Sequence, residues 1–196
     1  MQRLIFAIDQ LNKTIGHAFA WCIIILTFGT CYEVFVRYVL DNPTSWAFDM
    51  SYLMYGAVFF MAGAYTLSRG GHVRADIFYR LWSARTQATV ELLLYVFFFF
   101  PGILALVVAG SGYGTESLRL REVSVNSPAG VPIWPLKMMI STGASLMVLQ
   151  GIAELLRCVQ CLRDGQWTPR MHDVEELEKQ ILAEAARKRA AEGAAS

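Results

Sequence analysis

Four long runs without a charged residue set the pattern of the chain. They cover Thr14 to Tyr32, Met50 to Ser68, Leu92 to Thr115 and Met138 to Ala153. A membrane-spanning helix needs about 20 mostly apolar residues. The fourth run reaches this length only with its flanks, where Trp134 can anchor at the interface and Lys137 can extend to the headgroups. We predict an all-α integral membrane protein with four transmembrane helices, at residues 15–37, 46–68, 89–114 and 134–156.

The composition excludes most other classes of protein. Hydrophobic residues make up 55% of the 196 residues and charged residues 17%, whereas about 25% charged is usual for soluble domains. The apolar runs are continuous rather than alternating, which excludes a transmembrane β-barrel. With 17 Lys and Arg against 16 Asp and Glu, no overall charge favours binding to nucleic acid.

The placement of basic residues predicts how the helices cross the membrane. Two lie before the first span, four between the second and third spans, and seven from Arg157 onward, against four on the opposite side. Segments on the cytoplasmic side of a membrane are rich in Lys and Arg. We therefore expect a multi-pass protein of the bacterial inner membrane with both termini in the cytoplasm.

The segments outside the spans have patterns of their own. Ser45 can act as the N-cap of the second span. Apolar residues at helical spacing among arginines between residues 70 and 89 favour a cytoplasmic interfacial helix, with a folded loop as the alternative. We divide the chain into a transmembrane domain, residues 1–157, and a cytoplasmic tail, residues 158–196, in which residues 173–191 carry the apolar stripe of a helix.

Three charged residues near the external ends of the first two spans are placed to act together. Glu33 and Arg37 are one helical turn apart, and Asp49 lies at the start of the second span. Arg37 can reach one or both carboxylates, so we expect a structural interhelical clamp. A proton or ion site is the alternative, but all three residues lie near the interface and not at the midplane. At the cytoplasmic side, we expect Glu91 and Glu154 to pair with Arg85 or Arg157 or to be hydrated.

Three small motifs have both a structural and a functional interpretation. Pro101 predicts a kink after the preceding phenylalanines, in a bent packing helix rather than at a substrate site. Gly110 and Gly114 form a small-xxx-small pair that lets another helix approach or marks a frayed helix end. Cys158 and Cys161 form a lone CxxC, for which we expect buried or membrane-edge thiols rather than a metal or redox site.

No catalytic or cofactor site is evident in the sequence. There is no nucleophile triad, glycine-rich phosphate loop or cluster of carboxylates. Of the three histidines only His17 lies in or near a span, whereas a haem held between membrane helices would need two such ligands. We therefore expect neither an enzymatic activity nor a cofactor or metal.

Motifs near the ends of the spans resemble those of a known family. They are Glu33-Val34-Phe35-Val36-Arg37-Tyr38, Ser45-Trp46-Ala47-Phe48-Asp49, Gly71-His72-Val73-Arg74-Ala75-Asp76-Ile77 and Pro132-Ile133-Trp134-Pro135-Leu136-Lys137. Over about residues 15 to 157 the chain is similar to the small, DctQ-like membrane subunit of tripartite ATP-independent periplasmic (TRAP) transporters, especially the mannitol or chloroaromatic branch. The family usually has Glu at the position of Asp49. The family-motif positions singled out here are Trp46, His72, Asp76 and Pro132.

The resemblance implies a subunit that does not carry substrate alone. In that family a periplasmic substrate-binding protein captures an organic acid, and a large M-type membrane subunit moves it by an elevator motion coupled to sodium. The small subunit braces the static scaffold of the large one. The external loops, residues 41–45 and 116–132, then become candidates for docking of the binding protein, with a solvated loop as the alternative. The candidate docking residues alternate in sign: Arg119, Arg121, Glu116 and Glu122.

Two other classes of function fit part of the pattern. A membrane-anchor subunit of a respiratory enzyme complex also has a few spans and cytoplasmic termini, but the scarcity of membrane histidines argues against it. A self-sufficient small channel or exporter would need a polar stripe through the midplane, and the sequence has none.

Overall fold

The computed structural model describes residues 2–70, 79, 82–167 and 182–184, and in this part of the chain four long helices form a bundle. The helices are α1 Gln2–Val39, α2 Ala47–Ser68, α3 Ala84–Leu120 and α4 Trp134–Asp164. Each is long and apolar enough to cross a membrane. The prediction of an all-helical protein with four candidate spans is confirmed.

The chain order gives the bundle two distinct ends. The short connections over residues 40–46 and 121–133 lie together at one end, which we call the loop end. The start of α1 and the end of α4 lie at the other, which we call the terminal end. Polar contacts join distant parts of the chain at both ends.

Helix α1 extends much further towards the N-terminus than the predicted span. Ile5, Asp9, Asn12 and Gly16 are buried in this additional part. They recur at intervals of three and four residues, which places them on one helical face. The first turns of α1 are therefore packed into the bundle.

Three predictions about the segments between spans have different outcomes. Half of the predicted interfacial segment, residues 71–78 and 80–81, lies outside the described residues, as do most of residues 173–191. Its last residues, 84–89, belong to the start of α3. The predicted N-cap Ser45 is wrong: Trp46 immediately precedes α2 and makes no side-chain capping hydrogen bond there. Helix α3 begins at Ala84, with Ser83 as its N-cap accepting from the amide of the third helical residue.

A π turn interrupts α3 at Tyr95–Phe99. The amide of Phe100 donates to the carbonyl of Tyr95, five residues back instead of four. Pro101 follows directly, and in a regular α-helix its ring would clash with the carbonyl of Phe97. The wider turn relieves this clash, so the predicted irregularity lies within the phenylalanine run and not after it.

Helix α4 is the centre of the bundle and packs against all three other helices. In its most apolar stretch 39% of the residues are buried, against 6% in α3. Glycines bring the helices close: a Cβ atom at Gly110 would lie 3.2 Å from Ile140 Cγ2, and one at Gly114 would lie 3.3 Å from the Lys137 carbonyl oxygen. The small-xxx-small pair thus forms a close contact between α3 and α4, as predicted.

Backbone hydrogen bonds order the connection between α3 and α4. Arg121 ends α3 in the left-handed region, with φ of 47°. The amide of Ser124 donates to the Val131 carbonyl at 2.8 Å, and the amide of Ile133 donates to the Glu122 carbonyl at 3.1 Å. Residues 122–133 therefore fold back on themselves as a closed loop.

Candidate functional site

Five polar side chains form a buried cluster at the terminal end, which we call the terminal cluster. Asp9 and Asn12 belong to α1, whereas Gln150, Glu154 and Arg157 belong to one face of α4. Their exposed fractions are 5%, 1%, 0%, 1% and 2%. Buried polar and charged groups are tolerated only when they have partners, so the bonds within the cluster decide its stability.

Gln150 joins the two helices through its side-chain amide. Its Nε2 donates to Asp9 Oδ1 at 2.9 Å and to Glu154 Oε1 at 3.3 Å, and its Oε1 accepts from Asn12 Nδ2 at 2.7 Å. Both the donor and the acceptor of the amide are therefore used inside the bundle. An apolar residue at position 150 would leave Asp9 and Asn12 without these bonds.

Arg157 supplies the positive charge of the terminal cluster. Its Nη1 donates to Glu154 and its Nη2 donates to Asp9. The predicted pairing of Glu154 with Arg157 is confirmed, but the pair is buried and includes an acid from α1 that was not foreseen. A guanidinium that forks between two carboxylates fixes the position of both, so the first and last helices are locked together here.

Asp49 is the buried acid of the loop end, with 1% of its surface exposed. Ser124 Oγ donates to Asp49 Oδ1 at 2.6 Å, and Ser127 Oγ donates to Asp49 Oδ2. Asp49 lies in the first turn of α2, where the helix dipole favours a negative charge. We call these three residues the Asp49 latch, because they tie α2 to the connection between α3 and α4.

The predicted clamp of Glu33, Arg37 and Asp49 needs correction in one partner. Arg37 donates to Glu33 Oε1 from Nε at 3.0 Å and from Nη2 at 2.5 Å, and within the described ranges it forms no ion pair with Asp49. The Asp49 carboxylate already accepts from the two serine hydroxyls. The other oxygen of Glu33 accepts from the Thr44 amide at 3.2 Å and from its hydroxyl, so Glu33 joins α1 to the turn before α2.

The four candidate docking residues have different environments. Glu116 and Arg119 form an exposed ion pair at 2.9 Å in the last turns of α3, and Arg121 is exposed at the end of that helix. Glu122 instead accepts from Lys137 Nζ at 2.5 Å. This ammonium group holds the pKa of the Glu122 carboxyl below its ordinary value of 4.5.

The family-motif positions are only partly within the described residues. The Trp46 ring stacks on Tyr32 with 6.5 Å between ring centroids, so it joins the two arms of the first hairpin. Pro132 is exposed and forms an isolated backbone bridge within the connection between α3 and α4. His72 and Asp76 lie outside the described residues.

The two cysteines of the CxxC motif are buried and not bonded to each other. Cys158 Sγ lies 3.8 Å from Glu91 Oε2, and Cys161 Sγ lies 3.6 Å from the Ala84 carbonyl oxygen. Both thiols therefore pack against the start of α3, as expected for buried cysteines. Over the described ranges, no group of three or more His, Cys, Asp and Glu side chains is placed to hold a metal ion.

Residues 26–161 match the family model of the DctQ component of tripartite ATP-independent periplasmic transporters. The chain belongs to the DctQ family. No curated protein matches it. The DctQ match includes the Asp49 latch and the three α4 members of the terminal cluster, whereas Asp9 and Asn12 lie before it.

Membership of the DctQ family makes the chain a small component of a TRAP transporter. The family consists of transporter components and not of enzymes, and four apolar helices agree with a multi-pass protein of the inner membrane. A membrane anchor of a respiratory enzyme is therefore not the favoured interpretation.

The terminal cluster was missed at the level of sequence, although the chain carries a signal for it. Gln150, Glu154 and Arg157 are spaced by four and three residues, so they form a polar stripe on one face of α4. Asp9 and Asn12 are spaced by three residues on α1. Two polar stripes next to apolar spans are expected to face each other, because lipid chains cannot form hydrogen bonds with their side chains.

Proposed function

We propose that the chain is the small permease subunit of a sodium-coupled TRAP transporter and that it braces the scaffold of a large, elevator-type M subunit. The DctQ family match carries this proposal. The large M-type subunit and a periplasmic substrate-binding protein are its proposed protein partners, and membrane lipids surround the remaining surface. The proposed substrate is an organic acid, with the mannitol or chloroaromatic branch as the expected group.

The distribution of charge supports a bracing role over an independent transport pathway. In the described residues the charged side chains lie towards the loop end and the terminal end, and the middle stretches of the helices carry none. Hydroxyl groups in these stretches, such as those of Thr27 and Ser145, donate to carbonyls of their own helix. A translocation pathway needs polar groups near the midplane, so transport is assigned to the large subunit.

The outer surface of the bundle supports a role in assembly. Helix α3 has the lowest buried fraction of the four spans. It exposes large aromatic side chains, with Phe97 66% and Phe98 75% exposed. Exposed apolar surface of this kind is covered by lipid or by another membrane protein, which suits a subunit that packs against a larger one.

The proposed orientation follows from the charge bias of the sequence. With both termini in the cytoplasm, the loop end faces the periplasm and the terminal cluster lies near the cytoplasmic side. The Asp49 latch would then lie on the side from which the binding protein approaches. Reporter fusions after residue 196 and within residues 125–130 should give opposite signals for cytoplasmic and periplasmic location.

Reconstitution tests the function directly. The chain should purify with the large subunit in a one-to-one complex, and liposomes with this complex should take up substrate only with binding protein and a sodium gradient. Liposomes that lack any one protein, or that have choline in place of sodium, are the controls. Uptake by this chain alone would refute the proposal, and so would full activity of the large subunit without it.

A further inference from the structure

Most charged groups at the loop end are already engaged within the chain. Glu122 is bound by Lys137, and Glu33 is bound by Arg37 and Thr44. Glu116 and Arg119 neutralise each other on the side of α3. These residues are therefore less suited to a partner than their alternating charges suggested.

The Asp49 latch instead controls the tip of the connection between α3 and α4. Ser124 and Ser127 are both bound to the same carboxylate, and they flank the dipeptide Val125-Asn126. The Ser124 hydroxyl also accepts from the Asn126 amide at 3.1 Å. The dipeptide is thus held between two fixed points and must face away from the bundle.

Val125 is the most exposed large hydrophobic residue of the described chain, with 96% of its surface exposed. Single exposed apolar residues are ordinary on protein surfaces. Here the residue lies on a loop that is closed by backbone hydrogen bonds and anchored on both sides. An apolar side chain held in this way is preorganised for binding, because little conformational entropy remains to be lost on contact.

We propose that Asp49 is a positioning residue that presents Val125 and Asn126 as the contact point for the substrate-binding protein. This inference rests on the proposed function, since it names the surface used by one of the proposed partners. The partner surface it requires is a shallow apolar depression with a polar rim, which receives the valine and hydrogen-bonds the side-chain carboxamide of Asn126. The charges of Arg119 and Arg121 would affect only the rate at which the binding protein encounters this surface.

A soluble protein fits this tip better than the bilayer does. Residues 122–133 contain no Lys or Arg, and their one acid, Glu122, is negative. Segments that insert into the membrane surface combine basic residues with Trp, Phe or Leu. The exposed Val123 and Val125 have neither the basic neighbours nor the large apolar area of such segments.

Titration of binding protein against the reconstituted two-subunit complex tests the proposal. The readouts are the binding-protein concentration for half-maximal uptake and the maximal uptake rate. Val125→Asp should raise that concentration at least tenfold and leave the maximal rate within twofold of wild type. Ala129→Asp, in the same loop but outside the two latched serines, is the matched control and should behave like wild type.

Variants of Asp49 test the positioning role. Asp49→Ala should raise the half-maximal concentration, and Asp49→Asn should rescue in part, because its amide oxygen can still accept from one serine. The double variant should have a half-maximal concentration close to that of Val125→Asp alone, since both changes remove the same contact.

The contact role would be overturned if Val125→Asp had an unchanged half-maximal concentration while uptake still needed binding protein. This variant should fold normally, because position 125 is exposed. If the effects of Val125→Asp and Asp49→Ala on the half-maximal concentration were fully additive, the positioning role of Asp49 would be overturned. Uptake that needs no binding protein would instead refute the proposed function itself, which distinguishes the two failures.

Discussion

Arg157 binds two carboxylates from different helices with one guanidinium group. Asp9 has no other cation among its contacts in the described part of the chain, and its remaining bond comes from the Gln150 amide. A lysine ammonium lacks the planar fork that lets a guanidinium hold two acids at once. Both the charge and the shape of the residue at position 157 are therefore needed.

Replacing Arg157 by Ala should destabilise the folded chain by about 3–5 kcal/mol, because the buried Asp9 carboxylate loses its cation. Arg157→Lys should be intermediate. Thermal unfolding of the purified protein in detergent measures the effect. Arg163→Ala, which removes an exposed arginine near the same helix end, is the matched control, and equal unfolding temperatures for the two Ala variants would contradict the role of the cluster.

Glu122 should make the stability of the loop end depend on pH. Because Lys137 lowers the pKa of its carboxyl in the folded protein below 4.5, the group stabilises the folded state fully above its unfolded pKa. This contribution is lost as the pH falls through the lowered folded pKa. The unfolding temperature of Glu122→Gln should therefore be lower than that of wild type at neutral pH, and the difference should vanish in acid.

Glu116→Gln provides the comparison for Glu122→Gln, because it removes an exposed ion pair that contributes little. Its unfolding temperature should follow that of wild type at each pH. A pH-independent difference between Glu122→Gln and wild type would show that the carboxylate does not act through its charge.

Contacts near in sequence could be predicted, and distant ones could not. The pair of Glu33 and Arg37 follows from helix geometry alone, because residues four apart share a face. The partners of Asp49 lie 75 and 78 residues away, in a loop of small residues whose path no local pattern specifies. Arg37 was predicted as the partner of the Asp49 carboxylate, and that partner was wrong for this reason.

At the scale of helices, the length of the apolar runs was enough to predict four spans. The ends of the helices were predicted less well, because they depend on tertiary contacts. Helix α1 continues back to Gln2 and α4 continues to Asp164. Three members of the terminal cluster lie in these extensions, and the other two, Gln150 and Glu154, lie inside the predicted fourth span. Pro101 indicated an irregular third helix, but the form of the π turn is a property of the folded chain.

Close packing of α2 on α4 depends on Gly143. A Cβ atom there would overlap the carbonyl oxygen of Phe60 and lie 2.9 Å from its carbonyl carbon. Backbone atoms cannot rotate away as a side chain can, so Gly143→Ala should push the two helices apart and destabilise the protein by about 1–3 kcal/mol or more. Thermal unfolding in detergent and the yield of the complex with the large subunit measure the effect.

Gly112 offers the matched control on α3. A Cβ atom at this helical position meets no atom within 4 Å, so Gly112→Ala should leave the unfolding temperature unchanged or raise it, because alanine is the better helix former. A similar loss of stability in both variants would contradict this explanation, because Gly112 has no such contact and the change to alanine raises helix propensity at both positions.

The whole molecule is joined by polar contacts at both ends and by small residues between them. The terminal cluster connects α1 to α4, and the Asp49 latch connects α2 to the loop before α4. Helix α4 is in contact with every other helix, while the exposed aromatic residues of α3 remain on the outside. This arrangement gives a rigid body with an apolar surface, which suits a subunit that supports another one.

The central position of α4 also has a consequence for the order of synthesis. Asp9 and Arg157 are 148 residues apart, and a ribosome needs on the order of ten seconds to bridge that distance. During this time Asp9 lacks the guanidinium that binds it in the folded protein, and the surfaces that receive α4 are open. A nascent chain that stops before its fourth span therefore lacks both partners that hold Asp9 in the folded protein, and its first three helices cannot close around α4.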